Sequence, residues 1–221
     1  MNKIVKNTLI LTAITVVAGL LLGVVYGVTK DPIAKAQEEA KQEAFRSVLS
    51  DAETFESDTE FDADAASALL KENGYTSDDI SEVAEGKDAS GETVGYVVNV
   101  TSHDGYNGDI SYSVGIDAEG KINKVEFLSI SETPGLGMQA KTKPEHLEQY
   151  VGVASDNFTV VKDGSGNLKK DVADKTENID SLSGSTITSK SVNNGINAAV
   201  VTAKTVYSTP GLKTVGGVPI G

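Results

Sequence analysis

The chain has 221 residues, no cysteine, two histidines and a formal net charge of −13. That length suits one main core with an appendage, and the lack of cysteine excludes disulfides, thiolate metal sites, iron–sulfur ligation, a cysteine nucleophile and a cysteine-linked lipid. His103 and His146 stand far apart and outside any ligand motif, so no metal site is expected and any electron carrier is organic.

Residues 1–30 hold Lys3, Lys6 and Lys30 and no acid, which leaves sixteen basic against 32 acidic side chains in the remainder. Such a surface repels nucleic acid and anionic headgroups and favours solubility. From Asn7 to Thr29, 23 residues carry no charge and are rich in Leu, Val and Ile, enough for a helix across a hydrocarbon core of about 30 Å. The lysines before it and the acids after Lys30 put the N-terminus in the cytoplasm and the rest on the extracytoplasmic side of the cell membrane. Ala34-Lys35-Ala36 has the form of a signal-peptidase site. The apolar run is longer than the roughly 7–15 residues of a signal-sequence core, however, and Lys30, Asp31 and Pro32 separate it from the cut, so a retained anchor is expected.

A helix is predicted from Pro32 to about Leu49, capped by Asp31, with Ile33, Ala36, Ala40, Ala44, Phe45 and Val48 on one face. Residues 50–64 read as an acidic linker, followed by a short helix over Ala65–Glu72 that Asn73-Gly74 stops. Beyond Glu82 the pattern turns to β. Val94–Thr101, Gly108–Ile116 and Lys121–Ile130 read as an antiparallel meander, with a hairpin turn at Asp117-Ala118-Glu119-Gly120. A short helix near Glu145–Tyr150 and a fourth strand at Phe158–Val161 follow. The last helix is marked by Val192, Ile196, Ala199, Val200, Ala203 and Val206 on one stripe and should pack on the sheet; the glycine-rich tail after it has no pattern and is expected to be mobile.

Two segments carry chemistry. Asp180-Ser181-Leu182-Ser183-Gly184-Ser185-Thr186-Ile187-Thr188 is a hydroxyl-rich loop directly before the last helix. Thr188 or Ser189 could simply cap that helix, and the free amides at its start equally suit a phosphate. Glu132-Thr133-Pro134-Gly135-Leu136-Gly137 places Pro134 and Gly135 at the two central positions of a type II turn, where a fixed negative φ is followed by a positive one.

Together these segments resemble the FMN-binding domains of the RnfG component of the Rnf complex and of the NqrC component of the sodium-pumping NADH:quinone reductase. Asp180, Ser183 and Gly184 match the family's flavinylation motif and Thr186 falls at its acceptor position; Ser185 stands where the family usually has alanine. Residues Glu132, Thr133, Pro134, Gly135, Leu136 and Gly137 match the family's other signature without departure. Weaker likenesses lie at Gly95-Tyr96, Gly105-Tyr106-Asn107-Gly108 and Val114-Gly115-Ile116-Asp117.

The resemblance implies an α+β protein: an N-terminal transmembrane helix followed by an FMN-binding domain whose twisted, mainly antiparallel sheet is packed by helices. It implies FMN joined to Thr186 by a phosphoester, placed there by a flavin transferase, with Asp180, Ser183, Gly184, Ser185 and the Glu132–Gly137 segment around it and no catalytic acid, base or nucleophile. The role implied is that of a redox component, not an independent enzyme, in an ion-translocating Rnf-type complex that links ferredoxin and NAD. Its partners would be the other membrane subunits. The NqrC component of the sodium-pumping reductase, a stand-alone flavoprotein and an anchored extracellular binding module without cofactor are the alternatives. The expected divisions are an anchor at 1–30, a helical and linker region at 31–81, the FMN-binding domain at 82–207 and a tail at 208–221.

Overall fold

The computed structural model describes residues 3–59 and 61–208, in two units, residues 1–43 and 44–221. Helix α1 is Lys3–Val48. Its stretch Lys3–Gly27 is long and apolar enough to cross a membrane, and none of it is buried against protein. Pro32 lies inside α1, where the sequence predicts a new helix start. Proline removes one backbone donor and crowds the preceding turn, and α1 absorbs that loss and continues. The side chains of Ile33, Ala36 and Ala40 from the predicted stripe lie outside the described residues, as do that of Val206 and the tail after Ser208.

In the second unit, β1 (Thr54–Ser57), β2 (Asp78–Lys87), β3 (Thr93–Ser102), β4 (Ile110–Asp117) and β5 (Ile122–Ile130) form a sheet in the order β1-β2-β3-β4-β5. Every neighbouring pair is antiparallel. Between β1 and β2 lies α2 (Ala63–Glu72), started by the Asp62 carboxylate, which accepts from the amides of Asp64 and Ala65. The predicted hairpin turn is present. Gly120 N–H donates to the Asp117 carbonyl at 3.0 Å and the Asp117 carboxylate accepts from the Lys121 amide at 2.8 Å.

Two strands of the meander differ from the sequence reading. The segment read as a linker contains β1, and β2 begins ahead of Glu82. β2 carries Asp78, Asp79, Glu82 and Glu85, residue types poor in strands, and a register shift between Ile80 and Glu82 breaks its alternation. Partners on both edges, β1 and β3, supply what local propensity does not. After β5 come two single-turn helices, α3 (Gln139–Thr142) and α4 (Glu145–Glu148), then β6 (Thr159–Val161), β7 (Asn178–Asp180) and α5 (Thr186–Ser208). The strand expected near Phe158 is β6, but it pairs in parallel with β7 instead of joining the meander.

Alternation along the strands builds two cores. On one face Val83, Val98, Val100, Tyr112, Val114 and Phe127 meet α5 and α2 through Val192, Ile196, Ala199, Val200, Ala203, Ala66 and Leu70. The Tyr112 hydroxyl donates to the Val192 carbonyl of α5 at 2.8 Å. The opposite face holds a smaller cluster in which Ala84 and Val97 meet Phe45, Val48, Leu49, Ala52 and Phe55. The last turn of α1 lies close against the strands there: a Cβ on Gly86 would come within 2.6 Å of Leu49 Cδ2, and one on Gly115 would overlap the Val48 carbonyl. Gly115→Ala is therefore expected to lower stability by about 1–3 kcal/mol through overpacking, read as a lower urea midpoint at unchanged m-value.

Asp78, at the head of β2, is 4 % exposed and its Oδ1 has no hydrogen-bond partner among the described residues. Burial is the main cause that raises its pKa to about 6, opposed by the Ser102 hydroxyl. Because the folded value lies above the unfolded one, the folded state binds the proton more tightly. The charged carboxylate is thus a liability above about pH 6 that fades as the pH falls towards 4. Asp78→Asn is expected to stabilise the protein by about 2–3 kcal/mol at pH 8 and by only about 0.5 kcal/mol at pH 4, in denaturant titrations at the two pH values.

Candidate cofactor site

The loop after β5 turns sharply. Leu136 N–H donates to the Thr133 carbonyl at 3.1 Å and Gly135 has φ +75°, which is the type II turn the sequence predicts. Glu132 is brought inward by the turn and is 4 % exposed. Its Oε1 accepts from the Tyr106 amide at 2.7 Å, while Oε2 is buried without a partner among the described residues.

Across from this loop stands the start of α5. Ser185 N–H donates to the Leu182 carbonyl and Ser189 N–H to the Ser185 carbonyl, each at 3.0 Å, so the helix begins at Thr186. That is earlier than a cap by Thr188 or Ser189 would place it. Ser189 instead uses its hydroxyl to tie the loop down, accepting from the Leu182 amide at 2.9 Å and donating to the Ser185 carbonyl at 3.1 Å. Ser185 Oγ is buried and without a partner among the described residues. Thr186 is partly buried, and its hydroxyl makes no hydrogen bond among the described residues.

The two segments enclose a cavity of about 450 Å³, lined by Tyr106, Glu132, Thr133, Leu136, Gly137, Gly184, Ser185, Thr186, Ile187 and Thr188. That volume lies within the roughly 300–1,000 Å³ of cofactor sites. Gly137 keeps the floor open: a Cβ there would come within 2.5 Å of both Glu132 Oε2 and Thr188 Oγ1. The floor is polar and buried, whereas the rim is apolar and open, with Tyr106 68 %, Ile187 52 % and Leu136 46 % exposed.

Of the residues singled out from the sequence, Glu132, Thr133, Leu136, Gly137, Gly184, Ser185 and Thr186 meet at the cavity, while Pro134, Gly135, Ser183 and Asp180 do not line it. Pro134 and Gly135 act one step removed, through the turn. Three lining residues were not assigned to the site from sequence: Tyr106, read as part of a weaker family likeness, and Ile187 and Thr188, which close the hydroxyl-rich segment and of which Thr188 was read as a candidate cap. Tyr106 had a signal, since it lies in the Gly105-Tyr106-Asn107-Gly108 segment that is itself similar to the family.

Residues 105–201 match the family model of the FMN-binding domain, and residues 1–48 match that of the RnfG N-terminal region. The unit containing the cavity is therefore an FMN-binding domain, and the apolar helix ahead of it makes this a single-pass membrane protein. Over 90 % of its length the chain is 31 % identical to the G subunit of the proton-translocating ferredoxin:NAD(+) oxidoreductase complex of Clostridium ljungdahlii, covering 91 % of that protein. It is 32 % identical to the G subunit of the Na(+)-translocating complex of Acetobacterium woodii, over 88 % of this chain and 89 % of that one. The chain belongs to the RnfG family, the G subunits of ion-translocating ferredoxin:NAD(+) oxidoreductase complexes. A solved structure, Shewanella oneidensis NqrC, matches 57 % of this chain and 59 % of its own at 23 % identity and a TM-score of 0.45.

Gly137→Ala is expected to fill the cavity floor without backbone strain, because the glycine needs no positive φ, but Glu132 and Thr188 must shift to admit the methyl. The flavin-to-protein absorbance ratio of purified protein should fall well below that of the wild type, with a stability loss of about 1–3 kcal/mol from overpacking that still leaves the protein folded.

Proposed function

We propose that this protein carries FMN on Thr186 through a phosphoester and relays electrons within a membrane-bound, ion-translocating Rnf-type complex linking ferredoxin and NAD. The observation that carries the reading is the meeting of two segments, 48 residues apart at Glu132 and Asp180 onwards, around one cavity with unpartnered polar atoms on its floor. All lining residues fall between Tyr106 and Thr188, inside the proposed cofactor domain of residues 82–207, with an anchor at 1–30 and a tail at 208–221; β1, α2 and the start of β2, within the region at 31–81, share that domain's sheet and core.

The residues fit FMN in three zones. Thr186, the first residue of α5, offers its hydroxyl beside helix amides that have no intrahelical acceptor, where a phosphate is favoured. Glu132 Oε2 accepts hydrogen bonds only, and the hydroxyls of a ribityl chain are donors that answer it, with Ser185 and Thr188 alongside. Tyr106, Leu136 and Ile187 supply an apolar rim for the ring system. FMN, once bound, supplies one- or two-electron transfer. An open rim leaves that chemistry accessible to a partner while the polar end is held in the floor.

In the proposed maturation, Thr186 Oγ1 attacks the flavin-side phosphorus of FAD on the flavin transferase. The Oγ1–P bond forms, the pyrophosphate P–O bond breaks, AMP leaves with the electron pair, and the hydroxyl proton passes to a base on the transferase. Lys3 and Lys6 before the apolar helix and the acids after it support a cytoplasmic N-terminus and an extracytoplasmic domain. The other membrane subunits of the complex are the proposed partners.

Thr186→Val removes the nucleophilic oxygen at nearly constant shape. Coexpressed with the transferase, the variant is expected to fold but to show no flavin fluorescence after denaturing electrophoresis, whereas Ser185→Ala keeps it. Fluorescence retained by Thr186→Val would move the attachment to another hydroxyl.

A further inference from the structure

Asp180 matches the flavinylation motif, yet its atoms are all engaged elsewhere. It is 8 % exposed. Carboxylate Oδ1 accepts from the Gly166 amide and Oδ2 from the Leu168 amide, each at 3.0 Å. Its backbone is clasped by Gln149, whose Oε1 accepts from Asp180 N–H at 2.7 Å and whose Nε2 donates to the Asp180 carbonyl at 3.2 Å. No room is left between Asp180 and the loop it holds, because a Cβ on Gly166 would come within 2.6 Å of Asp180 Cγ. Asn167, 1 % exposed, locks the same loop: its Nδ2 donates to the Gln149 carbonyl at 3.1 Å and its Oδ1 accepts from the Thr176 amide at 2.8 Å.

The acceptor segment is therefore pinned at two ends. At one, Asp180 closes β7, and Ser181 N–H donates to the Val161 carbonyl of β6 at 2.9 Å. At the other, Ser189 holds the Leu182 amide. Residues 181–185 span the interval and deliver Thr186 to the cavity.

Building on the reading that Thr186 is the acceptor, we infer that Asp180 is a positioning residue: it acts on the modification by fixing the loop 164–168 and the end of β7, and it touches neither the flavin nor the reacting atoms. Loop 164–168 thereby becomes part of what the transferase meets beside the acceptor. A carboxylate with both oxygens already bonded to backbone amides has no need of the cofactor to satisfy it. In this it differs from Glu132, whose Oε2 lacks any partner.

The test uses the full-length protein with its transferase and two variants. Asp180→Asn turns one acceptor into a donor facing an amide, and Gly166→Ala pushes the loop off Asp180 without altering the carboxylate. Both are expected to slow flavin attachment by about tenfold to a hundredfold, the scale on which small misplacements act. Both should also raise hydrogen exchange at Gly166 and Leu168, with β3–β4 amides still protected. The fraction that does become labelled should have the wild-type absorption spectrum and midpoint potential. Slow attachment in Asp180→Asn with Gly166 and Leu168 still protected would overturn the inference, as would wild-type attachment in Gly166→Ala or a shifted spectrum in labelled Asp180→Asn. Should Asp180→Asn not fold, Gly166→Ala decides alone. Failure of the acceptor reading is seen separately, as labelled Thr186→Val, and leaves the exchange and rate comparison of these two variants intact.

Discussion

The seating of α5 on the meander is the contact on which the rest of the second unit depends. Apolar side chains of one helix, from Val192 to Ala203, cover one face of the sheet, and Tyr112 reaches from β4 to bond the backbone of that helix deep in the core. Burial of this kind stabilises by about 25 cal/mol per Å² of apolar surface removed from water. It also fixes where α5 begins, and hence where Ser185, Thr186 and Thr188 project. The Glu132 loop needs no helix of its own; it has only to leave the end of β5 and turn at Gly135 to face them.

Within this frame polar groups are treated in three ways. Those that hold loops are satisfied: Asp180, Gln149 and Asn167 use their hydrogen-bonding atoms on backbone partners. Those at the cavity floor, Glu132 and Ser185, each keep a buried oxygen without a partner. An unmet buried acceptor costs on the order of 1–3 kcal/mol; at the cavity a ligand donor would remove that cost, whereas Asp78 at the head of β2 carries the same cost as a plain liability. His146 is a third kind. It is buried beside Gln149 and held neutral, its pKa lowered to about 4 by burial, so it packs as an uncharged ring at neutral pH.

What could be read from the sequence follows from the range of the forces involved. The β-branched runs of β3 to β5, the Asp117–Gly120 turn, the Pro134-Gly135 turn and the stripe of α5 are local patterns, and all are present in the fold. β1 and β2 are not local: acidic residues and a bulge hide β2, and only its pairing with β1 and β3 makes it a strand. β7 is three residues long, too short for periodicity to register. Within the site, the meeting of the Glu132 and Thr186 segments was implied by family resemblance alone. The partners of Asp180 lie 12 to 31 residues away in sequence, and no spacing rule connects them.

Since α5 is both the spine of the core and the mount of the candidate acceptor, the two properties are inherited together. A substitution at Val192 or Ile196 that lets the helix settle by a fraction of an ångström would displace its first turn as well, because packed helices move as units and not residue by residue. Sequence drift at buried aliphatic positions would then shift Ser185, Thr186 and Thr188 with the helix, and relatives that differ only there need not present the same cavity.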